Sequence, residues 1–328
     1  MTEPTVEQNL QAIQQSKVFG RKISGIAAAL LPYEPSGEIA EEAFVQHLQR
    51  THEAGLANAV NMDTGYVNLL TQEERSSVLK LAREALGKDI PFYAGAFIEG
   101  IAGDPATLYR TQIEEITEIG AVPVLFQASA LHGKTGEEKA KIYREACLDT
   151  PRALAFELSS VFAPFGEIWD DDTFRRILDI PSITGAKHSS LDRRTELRRI
   201  AMRNRFRPDF RVYTGNDLGI DMVEFGSDYL LGLATFCPAA FAARDHAWET
   251  SNPNYSRLND ALQFLGNVAF RAPVPAYKHS AAVFLHMSGF VPSSEPHPLC
   301  PRRPEWEFEI LSDCASRIKL ATEQPPVT

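Results

Sequence analysis

Lys187 stands in the run Ile183-Thr-Gly-Ala-Lys187-His-Ser-Ser190, otherwise made of small, β-branched and polar neutral residues. An ammonium is costly to bury without a partner. Inside such a segment desolvation favours the neutral amine, which can attack a carbonyl carbon and form a Schiff base. The same position also suits a lysine just past a strand end, solvated or paired with an acid, and local sequence leaves the two readings even. Other groups able to move protons or hold a substrate are Glu157 in Phe156-Glu157-Leu158-Ser159, and Asp63, Thr64 and Tyr66 in Met62-Asp63-Thr64-Gly65-Tyr66. His188 should face away from Lys187, because side chains alternate along a strand. A satisfied core histidine is the expectation there, and Ser189 and Ser190 are expected to cap the next helix. His132 and Glu99 follow strand segments and carry little weight. No acid–His–Ser set is placed to argue for a hydrolase. No paired His, Asp or Glu set at strand ends supports a metal-dependent aldolase.

The elements that position these residues recur about every 30 residues. Apolar runs at 24–30, 56–62, 90–97, 122–127, 152–158, 183–189, 210–214 and 227–235 read as strands. Amphipathic stretches follow at 40–54, 72–87, from Asp104-Pro105 onward, 136–148, 171–178, 191–203, 220–225 and 238–248. Thr71 with Glu74 three residues on is a capping box, and Pro105 suits a first helical turn. Eight successive βα units without an antiparallel interruption predict an α/β protein of the (β/α)8 (TIM) barrel class. The glycine fingerprint of an open dinucleotide-binding sheet, GxGxxG, is absent after the first strand. About three further helices between Tyr255 and Leu320 make a C-terminal helical extension. The expected organisation is a polar lead-in over 1–22, the barrel over 23–250, and the extension over 251–328 as part of the same domain.

The 328 residues carry 33 basic and 43 acidic side chains, a formal charge of −10. An acidic surface argues against nucleic-acid and anionic-membrane partners, which need basic patches. The four cysteines, Cys147, Cys237, Cys300 and Cys314, form no CxxC pair, which suits a reducing compartment. Residues 1–24 lack the apolar core of a signal peptide, and no run reaches the roughly 20 apolar residues of a membrane span. A cytoplasmic location is the expectation.

The segment Gly185-Ala-Lys187-His-Ser-Ser190, with Asp192 following, resembles the Schiff-base strand of the dihydrodipicolinate synthase/N-acetylneuraminate lyase family, G-x-K-x-[SA]-[SG] and then Asp. Further matches follow in order along nearly the whole chain. They include Leu70-Thr71-Gln72-Glu73-Glu74-Arg75 with the family's L-T-x-E-E-R, Ala94-Gly95, Thr214-Gly215-Asn216-Asp217, and Pro275 to Lys278 with its P-x-K helix. The resemblance implies a class I aldolase or lyase that holds a keto or hydroxy-keto compound as an imine on Lys187. It implies no metal or organic cofactor, and a homo-oligomer, tetramer or dimer. Thr64 and Gly65 would help hold the substrate, and Gly215, Leu231 and Gly232 would shape the pocket.

Two departures bear on chemistry. Where the family has G-T-T-G, Asp63 replaces the first threonine, and a carboxylate there should repel an α-keto acid by roughly a few kcal/mol. It would therefore bind a polar hydroxylated group or cap the following turn. Where the family has a proton-relaying tyrosine on its fifth strand, this chain has Phe156, which exchanges no proton. A bulge could turn Glu157 inward to take that role; the strand's period of two turns it outward. Glu157, Asp63 or Tyr66 would stand in for the relay. The competing expectation is a catalytically divergent or inactive barrel that binds a small carbonyl or sugar-acid ligand.

Overall fold

The computed structural model describes residues 5–15 and 17–323. Eight parallel strands close into a barrel in chain order: β1 (Gly25–Ala28), β2 (Ala57–Val60), β3 (Tyr93–Ala96), β4 (Val122–Leu125), β5 (Ala153–Leu158), β6 (Ile183–Ser189), β7 (Arg211–Thr214) and β8 (Asp228–Leu231). Each falls within an apolar run read from the sequence. Strands buried on both faces read as continuous apolar segments, which is why they were visible. The helices are α1 (Val6–Gln15), α2 (Glu41–Glu53), α3 (Gln72–Leu86), α4 (Pro105–Glu118), α5 (Gly136–Ala146), α6 (Asp171–Leu178), α7 (Arg193–Phe206), α8 (Pro238–Glu249), α9 (Asn254–Ala269), α10 (Tyr277–Met287) and α11 (Glu307–Glu323). Between β7 and β8 the connection is a 3-10 helix, Ile220–Phe225. The last three helices form the expected extension.

Contacts divide the chain into two compact units. One comprises the chain up to Val18 with Pro91–Asn216 and Asp221–Tyr229. Within it α1 packs on α7: Leu10 and Ile13 join Leu197, Ile200, Val212 and Met222 in a buried cluster, with Val6 against it. Val6, Leu10 and Ile13 lie on one helical face, so part of the segment read as a polar lead-in is an amphipathic helix. Asp104 caps α4, accepting from the Thr107 N–H at 2.9 Å, with Pro105 at the first helical position. β5 and β6 pair as Leu154↔Gly185, Phe156↔Lys187 and Glu157↔His188, after a register shift at the strand starts that leaves Thr184 as the extra residue.

The other unit comprises Phe19–Ile90, Asp217–Ile220 and Leu230–Thr328. The predicted capping box opens α3: the Glu74 N–H donates to Thr71 Oγ1 at 3.2 Å, and the Thr71 N–H donates to the Glu74 carboxylate at 2.6 Å. Helix α10 is buried from Tyr277 through Leu285. A helix covered on all sides carries its polar side chains into the interior, which is how Tyr277 and Lys278 come to lie there.

Gly185 shows how closely β6 sits beside β7. A Cβ there would lie 2.7 Å from the Arg211 carbonyl oxygen and 2.9 Å from Tyr213 Cε2. Gly185→Ala should therefore destabilise the protein by about 1–3 kcal/mol through overpacking, read as a lowered urea midpoint with an unchanged slope.

Candidate functional site

Lys187 lies on β6 and is 6% exposed. Its Nζ sits 4.4 Å from the centroid of the Phe156 ring, its register partner on β5. Phe156 packs edge-on to Phe126, at 5.0 Å between centroids, and Phe126 to Phe97, at 5.7 Å. The amine thus projects against an aromatic wall. On the other side, the missing side chain of Gly215 makes room. A Cβ there would overlap Ser189 Oγ and stand 2.8 Å from Lys187 Cε. The Gly215 N–H donates to the His188 carbonyl at 2.8 Å and pins that backbone beside β6. Gly215 therefore leaves space beside Lys187, and Ser189 shares the lysine's face of the strand rather than capping a helix.

The opposite face of the same two strands holds Glu157. Its register with His188 points it toward the helix layer, so the inward-turned proton relay is corrected. The bulge lies at the strand start, before Leu154, and leaves the outward parity of Glu157 intact. The carboxylate is fully buried and fully used. Arg199 on α7 donates from Nε at 3.0 Å to Oε2 and from Nη2 at 2.9 Å to Oε1. The Trp169 N–H donates to Oε1 at 3.1 Å, and His188 Nδ1 meets Oε2 at 2.8 Å. Burial alone would raise the carboxyl pKa, but the charge of Arg199 and the hydrogen bonds from Arg199 and His188 outweigh it and hold the group at about 2. Arg199 also reaches Asp171 at 2.9 Å, tying α6 to α7. Glu157 anchors helices to the barrel wall. Nearby, the cap of α7 is Asp192, which accepts from the Thr195 N–H at 2.8 Å; Ser190 holds the preceding turn instead. Glu99 accepts from Ser129, and His132 reaches the Phe165 carbonyl at 3.0 Å, so both hold loops.

A second polar centre lies in the other unit, at the end of β2. Asp63, Thr64 and Gly65 form a 3-10 turn, and the Asp63 side chain does not cap it. Its Oδ1 accepts from Lys278 Nζ at 3.1 Å and its Oδ2 from the Tyr277 hydroxyl at 2.8 Å. Tyr277, having given its one proton to Asp63, accepts from Thr64 Oγ1 at 2.9 Å. Gly232, just past Leu231 at the buried end of β8, lets this group close: a Cβ there would meet Thr64 Oγ1 at 3.0 Å and Tyr277 Cε2 at 3.1 Å. Gly65 gives similar clearance beneath Ala29, whose carbonyl would lie 3.2 Å from a Cβ. The charge of Asp63 is compensated on the spot by Lys278, which removes the reason to expect repulsion of a carboxylate. Tyr66, in a left-handed conformation at φ 60°, is wholly buried among Tyr33 and His297, each at 5.6 Å between centroids. Burial drives its phenol pKa well above 10. Tyr66 thus packs in an aromatic cluster with its phenol held in the neutral form, which leaves it no capacity as a base. Sequence reading did not connect Lys278, Tyr277 or Arg199 to these centres. The P-x-K match was the one local signal for Lys278. Among the described residues, no group of three or more His, Cys, Asp or Glu side chains could hold a metal ion. No described helix is long and apolar enough to cross a membrane.

The barrel has the fold of solved dihydrodipicolinate synthases. Dihydrodipicolinate synthase from Thermotoga maritima superposes with a TM-score of 0.78 at 18% identity, covering 92% of this chain and 100% of that one. The Acinetobacter baumannii enzyme in complex with pyruvate gives 0.73 at 20% identity, covering 91% and 99%. A prophage protein of the same family from E. coli K12, also in complex with pyruvate, gives 0.77 at 13% identity, covering 91% and 99%. Residues 23–293 match the family described as "Protein of unknown function (DUF993)", and the chain belongs to that family. A 4-hydroxy-tetrahydrodipicolinate synthase from Kosmotoga olearia is 23% identical over 195 residues. That alignment covers 59% of this chain and 64% of the relative, so the chain spans somewhat under two thirds of the curated relative's length.

Two outcomes follow. Glu157→Gln removes one partner of a buried pair and should cost about 3–5 kcal/mol at neutral pH. The folded carboxyl pKa, about 2, lies below the unfolded value, roughly 4.3. The stabilisation is thus complete above the unfolded value and is lost as pH falls toward the folded one. The gap between variant and wild type should accordingly shrink in denaturant titrations on acidification. Lys278→Met should also cost about 3–5 kcal/mol, and Asp63→Asn/Lys278→Met should recover much of it. Simple additivity of the two changes in a double-mutant cycle would show that they are uncoupled.

Proposed function

We propose that this protein is a Schiff-base-forming lyase or aldolase acting on a keto acid or hydroxy-keto compound through Lys187. The observation that carries the reading is the placement of that amine. It is buried on β6 against the face of Phe156, with Gly215 leaving space beside its Cε. Nζ adds to the substrate carbonyl carbon, the oxygen leaves as water, and the resulting iminium draws electrons from an adjacent C–H or C–C bond. The carbonyl compound is of the class named for two of the related structures, which hold pyruvate. Water exclusion by Phe97, Phe126 and Phe156 would protect the imine from hydrolysis. The expected homo-oligomer, the cytoplasmic location and the independence from metal or organic cofactor belong to the same proposal.

Phe156 supports a second reading. A ring without a hydroxyl stands next to the lysine, and Glu157 is committed to Arg199. A barrel that captures a carbonyl ligand without turning it over would look the same at these positions.

Borohydride trapping with pyruvate and a panel of keto acids and aldehydes tests the proposal, followed by peptide mass mapping. The expected result is a reduced adduct on the Lys187 peptide, absent in Lys187→Ala. A folded wild-type protein that gives no adduct on Lys187 with any member of the panel refutes the imine. An adduct without release of product over many protein equivalents selects the binding reading.

A further inference from the structure

The outer face of β6 carries a constellation that the Lys187 chemistry does not use. His188 and Ser190 are two residues apart, and Glu157 is the register partner of His188 on β5, so all three meet on one side of the wall. Glu157 Oε2 lies 2.8 Å from His188 Nδ1, and His188 Nε2 lies 2.7 Å from Ser190 Oγ. That is the acid–imidazole–hydroxyl order of a nucleophilic triad. The ionised Glu157 carboxylate fixes the His188 proton on Nδ1 and leaves the Nε2 lone pair aimed at the hydroxyl. The single hydroxyl hydrogen of Ser190 has two acceptors, His188 Nε2 at 2.7 Å and the Asp192 carbonyl at 3.2 Å, and the imidazole is the nearer.

The surroundings hold this geometry and suit a developing charge. Leu191, the next residue, has φ 60° without being glycine, a strained conformation that persists only where neighbours enforce it. The Asp192 N–H donates to Ser190 Oγ at 3.0 Å, and α7 begins immediately after. Its positive dipole end therefore lies beside the oxygen. His188 also lies within electrostatic range of Asp192, so a carboxylate faces the imidazolium that forms when it takes a proton. Ser190 is part-exposed, whereas His188 and Glu157 are buried.

We propose that Ser190 is an activated nucleophile, a second reactive centre that accepts acyl or phosphonyl groups from small activated esters and fluorophosphonates. Ser190 Oγ forms a bond to the carbonyl carbon as its proton passes to His188 Nε2. The leaving alcohol takes that proton as its bond to carbon breaks; with a fluorophosphonate the new bond is to phosphorus, the P–F bond breaks, and fluoride and the proton leave to solvent. Water then attacks the acyl-serine, with His188 again accepting and returning a proton. Arg199 shares the Glu157 charge and so weakens its help to His188, which makes slow turnover the expected behaviour.

The test is a fluorophosphonate probe on the full-length protein, with the modified residue located by peptide mass mapping. Near-stoichiometric labelling of Ser190 is expected, lost in Ser190→Ala. His188→Gln, checked for native circular dichroism, should slow labelling by at least about tenfold, within the range for general-base assistance. Mapping in the wild type needs no variant, so a misfolded substitution cannot obscure the result. Failure to label Ser190, or labelling undiminished in a folded His188→Gln, overturns the proposal. Imine trapping reports on Lys187 with a different reagent, so either centre can fail while the other stands.

Discussion

β5 and β6 pair so that Phe156 faces Lys187 and Glu157 faces His188, and this register determines the use of every reactive group on that wall. A slip of one residue would exchange the two faces. It would put a carboxylate beside the amine and a phenyl ring against Arg199. The register is enforced from both sides. On one, the lysine stem needs the space over Gly215. On the other, Glu157 is held by two donors from Arg199 and one from the Trp169 backbone. The buried ion pair contributes less by net energy, which desolvation largely offsets, than by making the alternative register leave a bare charge.

This division of labour separates the chain from a simple reading of its family likeness. The aromatic wall sets the Phe156 ring against the Lys187 nitrogen, with Phe126 and Phe97 behind it, and these rings offer no proton carrier. The polar groups that could carry protons are spent elsewhere. Glu157 ties helices to the wall, and Tyr66 fills an aromatic cluster. Asp63 and Tyr277 complete a hydrogen-bonded group with Thr64 and Lys278.

Much of the fold could be read locally, because buried parallel strands are apolar throughout and the caps at Thr71 and Asp104 depend on neighbours three residues away. Lys187 was an anomaly at short range, an amine in an apolar or small-residue strand, but its local sequence left two readings even and the family resemblance singled it out. Partnerships across long separations were not. Arg199 is 42 residues from Glu157 and Lys278 is 215 from Asp63, and nothing in the spacing of either pair announces them. Strand parity predicted the outward His188 correctly. It could equally have predicted Ser190 on the same side, but the hydroxyl looked like a cap until Asp192 was seen in that role. The helix at Val6–Gln15 was hidden by its mostly polar composition, with only Val6, Leu10 and Ile13 marking its buried face.

The pairing of Asp63 with Lys278 also makes the two positions interdependent. A carboxylate at that turn among neutral hydroxyls alone would meet the full cost of its own desolvation. The side chain at 63 is tolerated because an ammonium lies 3.1 Å away. Neither member of the pair can be exchanged for a neutral residue without stranding the other.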